Sequence, residues 1–266
     1  MIDLHSHILP GIDDGAADIE MSVEMARLAV ADGTSVLACT PHFMPGIYDN
    51  SIAILNQAIS TLRLRLNNEG IPLRLISGGD VHASPDLSEK LLNKSVPTLA
   101  GTKYFLFEPP HHVLPPNLDK LCRDLIRAGF IPILTHPERL SWIENHYDVI
   151  CKMEESGVPI QLTAKSVIGE FGKRPKYWSD RMLDEGRVDL IASDAHNLSS
   201  RPPGLRRAKD AIQERLGEHA AHTIVYSNPE NVLKNEEMVA KKRRADPQKT
   251  ASQSKSSKSL FSWFKK

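Results

Sequence analysis

Short apolar runs recur along the chain, and each stops at a polar or ionisable side chain. The runs are 2–7 (IDLHSH), 35–42 (SVLACTPH), 73–82 (LRLISGGDVH), 104–110 (YFLFEPP), 131–139 (IPILTHPER), 159–166 (PIQLTAKS) and 188–196 (VDLIASDAH). Runs of this length and content predict seven strands. Between them lie segments whose apolar positions recur with helical spacing, such as 19–33, 51–70 and 118–130. Two of these end on Gly33 and Gly70, the residue type that suits a helix C-terminus. Strands alternating with helices imply a mainly parallel sheet, and seven such units in about 230 residues imply closure into a TIM-like α/β barrel.

In a βα barrel the side chains at the strand C-termini converge on one face. Here those positions hold His5, His7, His42, Asp80, Glu108, His136, Asp194 and His196, with Asp13 and Asp14 in the first loop. Each motif alone has a plainer explanation. HSH could be a solvated or hydrogen-bonded pair, SDAH a helix N-cap, and HPER an ion pair between Glu138 and Arg139. Convergence changes the weighting, because carboxylates and imidazoles gathered on one face would bury like charges together unless cations sat among them. Nitrogen and oxygen donors without sulfur favour Mn, Fe or Zn. Nine such donors, counting one of the two loop aspartates, suit two or three ions held close together, as in hydrolases acting on phosphate esters.

The 266 residues are 41% hydrophobic, enough for one large core. Three dispersed cysteines, Cys39, Cys122 and Cys151, predict reduced thiols in a cytoplasmic protein, and no apolar run of signal-peptide length follows Met1. None of the three has an arginine six residues later; Pro45, Ala128 and Gly157 stand there, which argues against a cysteine-dependent phosphatase. The net charge of zero hides an asymmetry. From Lys241 onward nine basic residues face one acid, a local charge of about +8 balanced by about −8 on residues 1–240. Residues 236–266 read as a disordered basic tail ending in LFSWFKK, with a weak contact to anionic membrane expected through 241–266. No nucleic-acid partner is expected.

HSHILPGIDDG, TPH, GGD, FEPP, THPER, QLTAKSVIGEFGK and SDAHN follow one another in this order along residues 1–235. In this the chain resembles the polymerase and histidinol phosphatase (PHP) superfamily and, within it, the capsule-type bacterial tyrosine-protein phosphatases. The resemblance implies a distorted seven-unit barrel. It also implies one ion on His5, His7 and Asp194, a second on Asp14, His42 and His196, and a third on Glu108 and His136, with Asp80 bridging. Asp14 is preferred to Asp13 by its offset alone, and Asp80 stands where glutamate is usual. Manganese is the metal implied, with iron or zinc as alternatives.

Arg139 resembles the family's phosphate-binding arginine, and Arg206 is the second candidate, with Arg201 and Arg207 nearby. The implied activity is that of a phosphoric monoester hydrolase acting on phosphotyrosine. Its implied substrate is the tail of a membrane-associated bacterial tyrosine kinase controlling capsule or exopolysaccharide synthesis, which would place the protein in the cytoplasm, peripheral to the inner membrane face. The alternatives are a phosphatase of a small metabolite such as histidinol phosphate and a non-catalytic metal-binding accessory module. QLTAKSVIGEFGK and GIDDGA favour the tyrosine phosphatase over the first, and nine filled ligand positions favour an enzyme over the second.

Overall fold

The computed structural model describes residues 1–241, so the expected tail and membrane contact lie outside it from residue 242 onward. Nine short strands appear: β1 (Ile2–Asp3), β2 (Val36–Cys39), β3 (His42–Phe43), β4 (Arg74–Ser77), β5 (Asp80–His82), β6 (Tyr104–Glu108), β7 (Ile131–Thr135), β8 (Ile160–Thr163) and β9 (Leu190–Ala192). All pairings between them are parallel, in the orders β1-β2-β4 and β3-β5-β6-β7-β8-β9. The two sheets are parts of one ring. β2 and β3 share a single stave, as do β4 and β5, and the hydrogen bonds Gly78 N–H to Cys39 O (3.1 Å) and Asp80 N–H to Pro41 O (3.0 Å) carry the ladder past the breaks. Beyond β1, Ser6 bridges Ala195 in parallel register, and Asp194 N–H donates to His5 O (3.0 Å), which closes the first stave on the last. Seven staves result, as the alternation predicts.

The runs 35–42 and 73–82 differ from the expectation of continuous strands, for local reasons. Pro41 has no N–H to give a ladder. At Gly78 a Cβ would lie 2.8 Å from Leu99 Cδ2, and at Gly79 2.7 Å from Phe43 Cδ2, so neighbouring groups approach the backbone there too closely for any side chain. The helices follow their pattern more closely. Ile19–Asp32 is capped by the Asp18 carboxylate and ends on left-handed Gly33 (φ 98°), Ile52–Asn68 is capped by Ser51, and Leu118–Arg127 stops before Gly129.

Period-two alternation sorts the core into two clusters. Leu4, Ala38, Ile76, Tyr104, Leu106, Ile133 and Leu190 fill the ring, with Val232 closing its lower end. Their neighbours Leu37, Cys39, Leu75, Phe105, Phe107, Leu134, Ile160, Leu162 and Ile191 pack outward in the larger cluster shared with the helices. The chain stays against the barrel past the composition boundary at 235. Tyr104 donates its hydroxyl to Glu236 O (2.7 Å), and Lys241 Nζ lies 2.7 Å from Asp189 Oδ2. Among the described residues no helix is long and apolar enough to cross a membrane.

Asp3 ties the ring closure together. It is buried, and its Oδ1 accepts the N–H of His5 (3.2 Å) and of Ser193 (3.1 Å), joining the first stave to the last. Burial pushes its carboxyl up to about 6 from an ordinary value near ~4. The folded state therefore binds more protons than the unfolded chain between these values, so this group's contribution to stability falls as pH rises from about 4 to 6. Asp3→Asn keeps the accepting oxygen and has no charge to bury. Urea unfolding is expected to show the variant gaining on the wild type by up to about 3 kcal/mol between pH 4 and pH 8; a difference independent of pH would disprove this.

Candidate metal centre

The ligand-type side chains meet above the apolar filling, at the C-terminal ends of the staves. His5 Nε2 lies 3.2 Å from His7 Nε2, 3.4 Å from Asp80 Oδ2 and 3.3 Å from Asp194 Oδ1. His42 Nδ1 is 3.6 Å from Asp80 Oδ2 and 3.5 Å from Glu108 Oε2, and its Nε2 is 3.4 Å from Asp14 Oδ1. The same Asp14 oxygen is 3.4 Å from His196 Nε2, and His136 Nε2 is 3.7 Å from Glu108 Oε1. All nine positions expected from the sequence are therefore brought to one place.

Four groupings drawn wholly from these nine positions have donor atoms within 4.8 Å of one another: His7, Asp14, His42 and His196; His5, His7 and Asp80; His5, His136 and Asp194; and His42, Asp80 and Glu108. A fifth grouping, Glu108, His136 and His111, adds a histidine that the sequence reading missed, 3.1 Å from Glu108 Oε1 through its Nε2. His82 also comes within 3.8 Å of Glu108.

Local backbone sets this geometry. His136 (φ 35°) and Asp194 (φ 51°) are both left-handed, uncommon for non-glycine residues, and each is pinned through its own N–H, His136 to Gln161 O (2.9 Å) and Asp194 to His5 O (3.0 Å). Gly15 lets the first loop fold onto its own stave, since a Cβ there would lie 2.0 Å from His7 O. The two neighbouring aspartates divide: Asp14 faces His42 and His196, while Asp13 accepts from His7 Nδ1 (2.7 Å) and from the His42 backbone (3.1 Å), orienting both residues. Gln161 does the same for His5 through Nδ1 (3.0 Å). Asp80 remains central despite its shorter side chain. Neither of its oxygens has a hydrogen-bond partner.

Whether these residues suit metal ions can be judged from the unpaired atoms. Asp80 Oδ1 and Oδ2, Glu108 Oε2, His42 Nδ1, His136 Nδ1 and His196 Nε2 are all buried without a partner, an expensive arrangement that divalent cations would relieve. Proton affinities agree with this. Burial would raise Asp194, but His5, His7, Arg201 and Arg139 hold it well below the carboxylate range. Burial and the charge of Arg139 keep His136 neutral, and burial and His7 lower His196, leaving imidazole lone pairs for a metal. His7 behaves oppositely: burial works against its proton, yet Asp13 and Asp194 raise it to about 10, a proton that an arriving cation must displace.

Two arginines border the cluster. Arg139 and Arg201 both donate to Asp194 Oδ2, the latter at 2.5 Å, and Arg201 Nε is buried without a partner. Glu138 turns away to accept the Thr163 N–H (2.9 Å), so the Glu138–Arg139 pair does not form. Arg206, expected on the phosphate, is a correction. Its Nε donates to Asp32 O (3.0 Å) beside Gly33, whose carbonyl holds the Met1 ammonium, at the opposite end of the barrel. The loop after SDAH folds back through Asn197, whose side chain accepts the Arg201 N–H (3.0 Å), and this delivers Arg201 to the site in its place. Burial pushes the Cys39 and Cys122 thiols up to about 12, which removes both as thiolate nucleophiles.

Fold and site together define a class, the parallel α/β barrels that gather several clusters of imidazole and carboxylate metal-ligand groups on the C-terminal rim. Within that class the chain belongs to the CpsB/CapC family of capsular polysaccharide synthesis, whose pattern matches residues 1–234. Tyrosine-protein phosphatase YwqE of Bacillus subtilis is 35% identical over 236 residues, covering 89% of this chain and 92% of its own. The putative tyrosine-protein phosphatase CapC of Staphylococcus aureus is 29% identical over 93% of this chain and 94% of its own. A crystal structure from work on YwqE and on CpsB from Streptococcus pneumoniae, described as metal-dependent tyrosine phosphatases, superposes with a TM-score of 0.87. It is 34% identical and covers 91% of this chain and 97% of its own.

Proposed function

We propose that this protein is a metal-dependent tyrosine-protein phosphatase of the CpsB/YwqE type, acting in capsular polysaccharide synthesis. The observation that carries this reading is the placement of Arg139 and Arg201 on Asp194, at the edge of a cluster of nitrogen and oxygen donors. A phosphomonoester dianion needs cations on one side for its non-bridging oxygens, and a fork of planar guanidinium groups supplies donors in matching geometry. The ions would be held by His5, His7 and Asp194, by Asp14, His42 and His196, and by Glu108 and His136, with Asp80 available to more than one of these sets; His111 would be a further donor beside the last pair. Manganese suits this set, with iron and zinc as alternatives.

When bound, such ions supply a nucleophilic water at neutral pH and neutralise charge on the phosphoryl oxygens. The chain's own part is to position and to stabilise. Asp194 holds both arginines at the rim. On arrival of substrate their remaining N–H groups, Arg201 Nε among them, take the equatorial phosphoryl oxygens as charge builds there. Asp13 and Gln161 fix the ring orientations of His7 and His5, so the donor set needs little rearrangement during turnover. The substrate in the cell is the phosphotyrosine tail of a membrane-associated bacterial tyrosine kinase, met at the inner membrane face by a cytoplasmic enzyme.

Parallel assays on a phosphotyrosine peptide and on histidinol phosphate test this, before and after EDTA and after return of manganese. Phosphotyrosine hydrolysis is expected to dominate, to vanish with the chelator and to return with the metal. Preference for histidinol phosphate, or activity indifferent to EDTA, would refute it.

A further inference from the structure

Phe171 lies on the loop that follows β8 and the short helix Ala164–Val167, beside Arg139 at the rim of the site and outside the apolar core. The half-buried ring belongs to neither apolar cluster and is absent from the partly buried residues packed on them. Two cations lie over it instead. The Arg139 guanidinium carbon is 5.3 Å from the ring centroid, and Lys165 Nζ is 5.8 Å from it. No aromatic ring packs on Phe171 among the described residues, whereas Tyr48, the other aromatic side chain at this rim, is already stacked on His42 (17° between planes, 5.3 Å between centroids).

The loop holding this ring is fixed. Gly169 (φ 81°) and Gly172 (φ 94°) turn the chain on either side of Glu170 and Phe171, and Gly172 N–H donates to Gly169 O (3.1 Å). Glu170 is held from two directions, by Lys165 (2.9 Å) and by Arg207, while Lys165 Nζ also donates to Ser200 O (2.9 Å) in the loop that delivers Arg201. An aromatic surface held this firmly beside a phosphate-binding arginine is preorganised for a flat ligand group.

We propose that Phe171 is the specificity residue that packs against the phenyl ring of an aryl phosphomonoester whose phosphate is held by Arg139. This rests on the phosphatase reading above. One ester oxygen separates the phosphorus of such a substrate from its ring, so a phosphate on Arg139 keeps the phenyl group close to Phe171, whose centroid lies 5.3 Å from that guanidinium carbon. The short methylene of an alkyl phosphate presents no such surface. Phe171 thereby helps the site to select phosphotyrosine over phosphoserine through the leaving group, while the donor cluster and arginines treat every phosphate alike.

Calorimetric binding of phenylphosphonate and methylphosphonate to the full, manganese-loaded chain tests this without any turnover. Phe171→Leu is expected to weaken phenylphosphonate by about three- to tenfold, the range of one aromatic pair. Methylphosphonate should stay within about twofold, and Phe171→Trp should restore the phenyl preference. Equal weakening of both ligands would mean that Phe171 only positions Arg139, and no change in either would mean that it touches neither; each result overturns the proposal. If the wild type prefers the phenyl ligand yet hydrolyses no phosphotyrosine, the phosphatase reading fails while the ring contact stands.

Discussion

Asp194→Asn is expected to lower turnover by at least about 10³-fold and to release at least one metal ion per chain, with the barrel still folded. Five cationic or cation-ready groups face this carboxylate: His5, His7 and His196 at Oδ1, Arg139 and Arg201 at Oδ2. Asparagine keeps the side-chain shape and tolerates the left-handed backbone at this position (φ 51°), whereas alanine would add strain of its own. The loss is therefore one of charge. Metal content by mass spectrometry, read beside turnover and the urea midpoint, separates the possibilities. Unchanged metal stoichiometry with turnover within about tenfold of wild type would remove Asp194 from the centre.

Arg139→Ala is expected to leave metal content intact and reduce kcat/KM by roughly 10²–10³, the scale of one lost transition-state donor. Arg201→Ala is expected to fall in the same direction, and the two losses should not add, because the side chains share one carboxylate oxygen. Arg206→Ala provides the control. Its contacts are with Asp32 at the far end of the barrel, so its kcat/KM should match the wild type. A full rate in Arg139→Ala, or a large loss in Arg206→Ala, would mean that the phosphate is bound elsewhere.

Much of this was legible in the sequence because strand ends in a parallel barrel share one face. Once the seven runs are recognised, their last polar residues are already neighbours, and eight of the nine expected positions follow from that rule, while Asp14, in the first loop, rests on the resemblance. What topology does not fix is how loops travel. Arg201 and Arg206 both follow SDAH, and only the return through Asn197, followed by the descent to the helix Arg206–Leu216, sends one to the site and the other to Met1. His111 was missed for a similar reason. It lies three residues beyond Glu108, past two prolines, and periodicity does not say that the loop there curls back over the rim. The breaks at Pro41 and Gly78 escaped because an apolar run shows the same alternation whether its ladder is continuous or interrupted.

The closure of the ring between Ser6 and Ala195 also bears on when the protein becomes active during its life. One grouping of donors takes His5 from the first stave and Asp194 from the last, so it cannot exist while either is missing. A nascent chain on the ribosome must emerge past Asp194, most of its length, before these ligands can meet. The amino-terminal histidines leave the tunnel first and wait for Asp194 and His196 through most of synthesis. Groupings that reach the last stave, on Asp194 or His196, are consequently completed late, whereas His5, His7 and Asp80, and His42, Asp80 and Glu108, all emerge within the first 108 residues, so a truncated translation product would carry part of the donor set but not all of it.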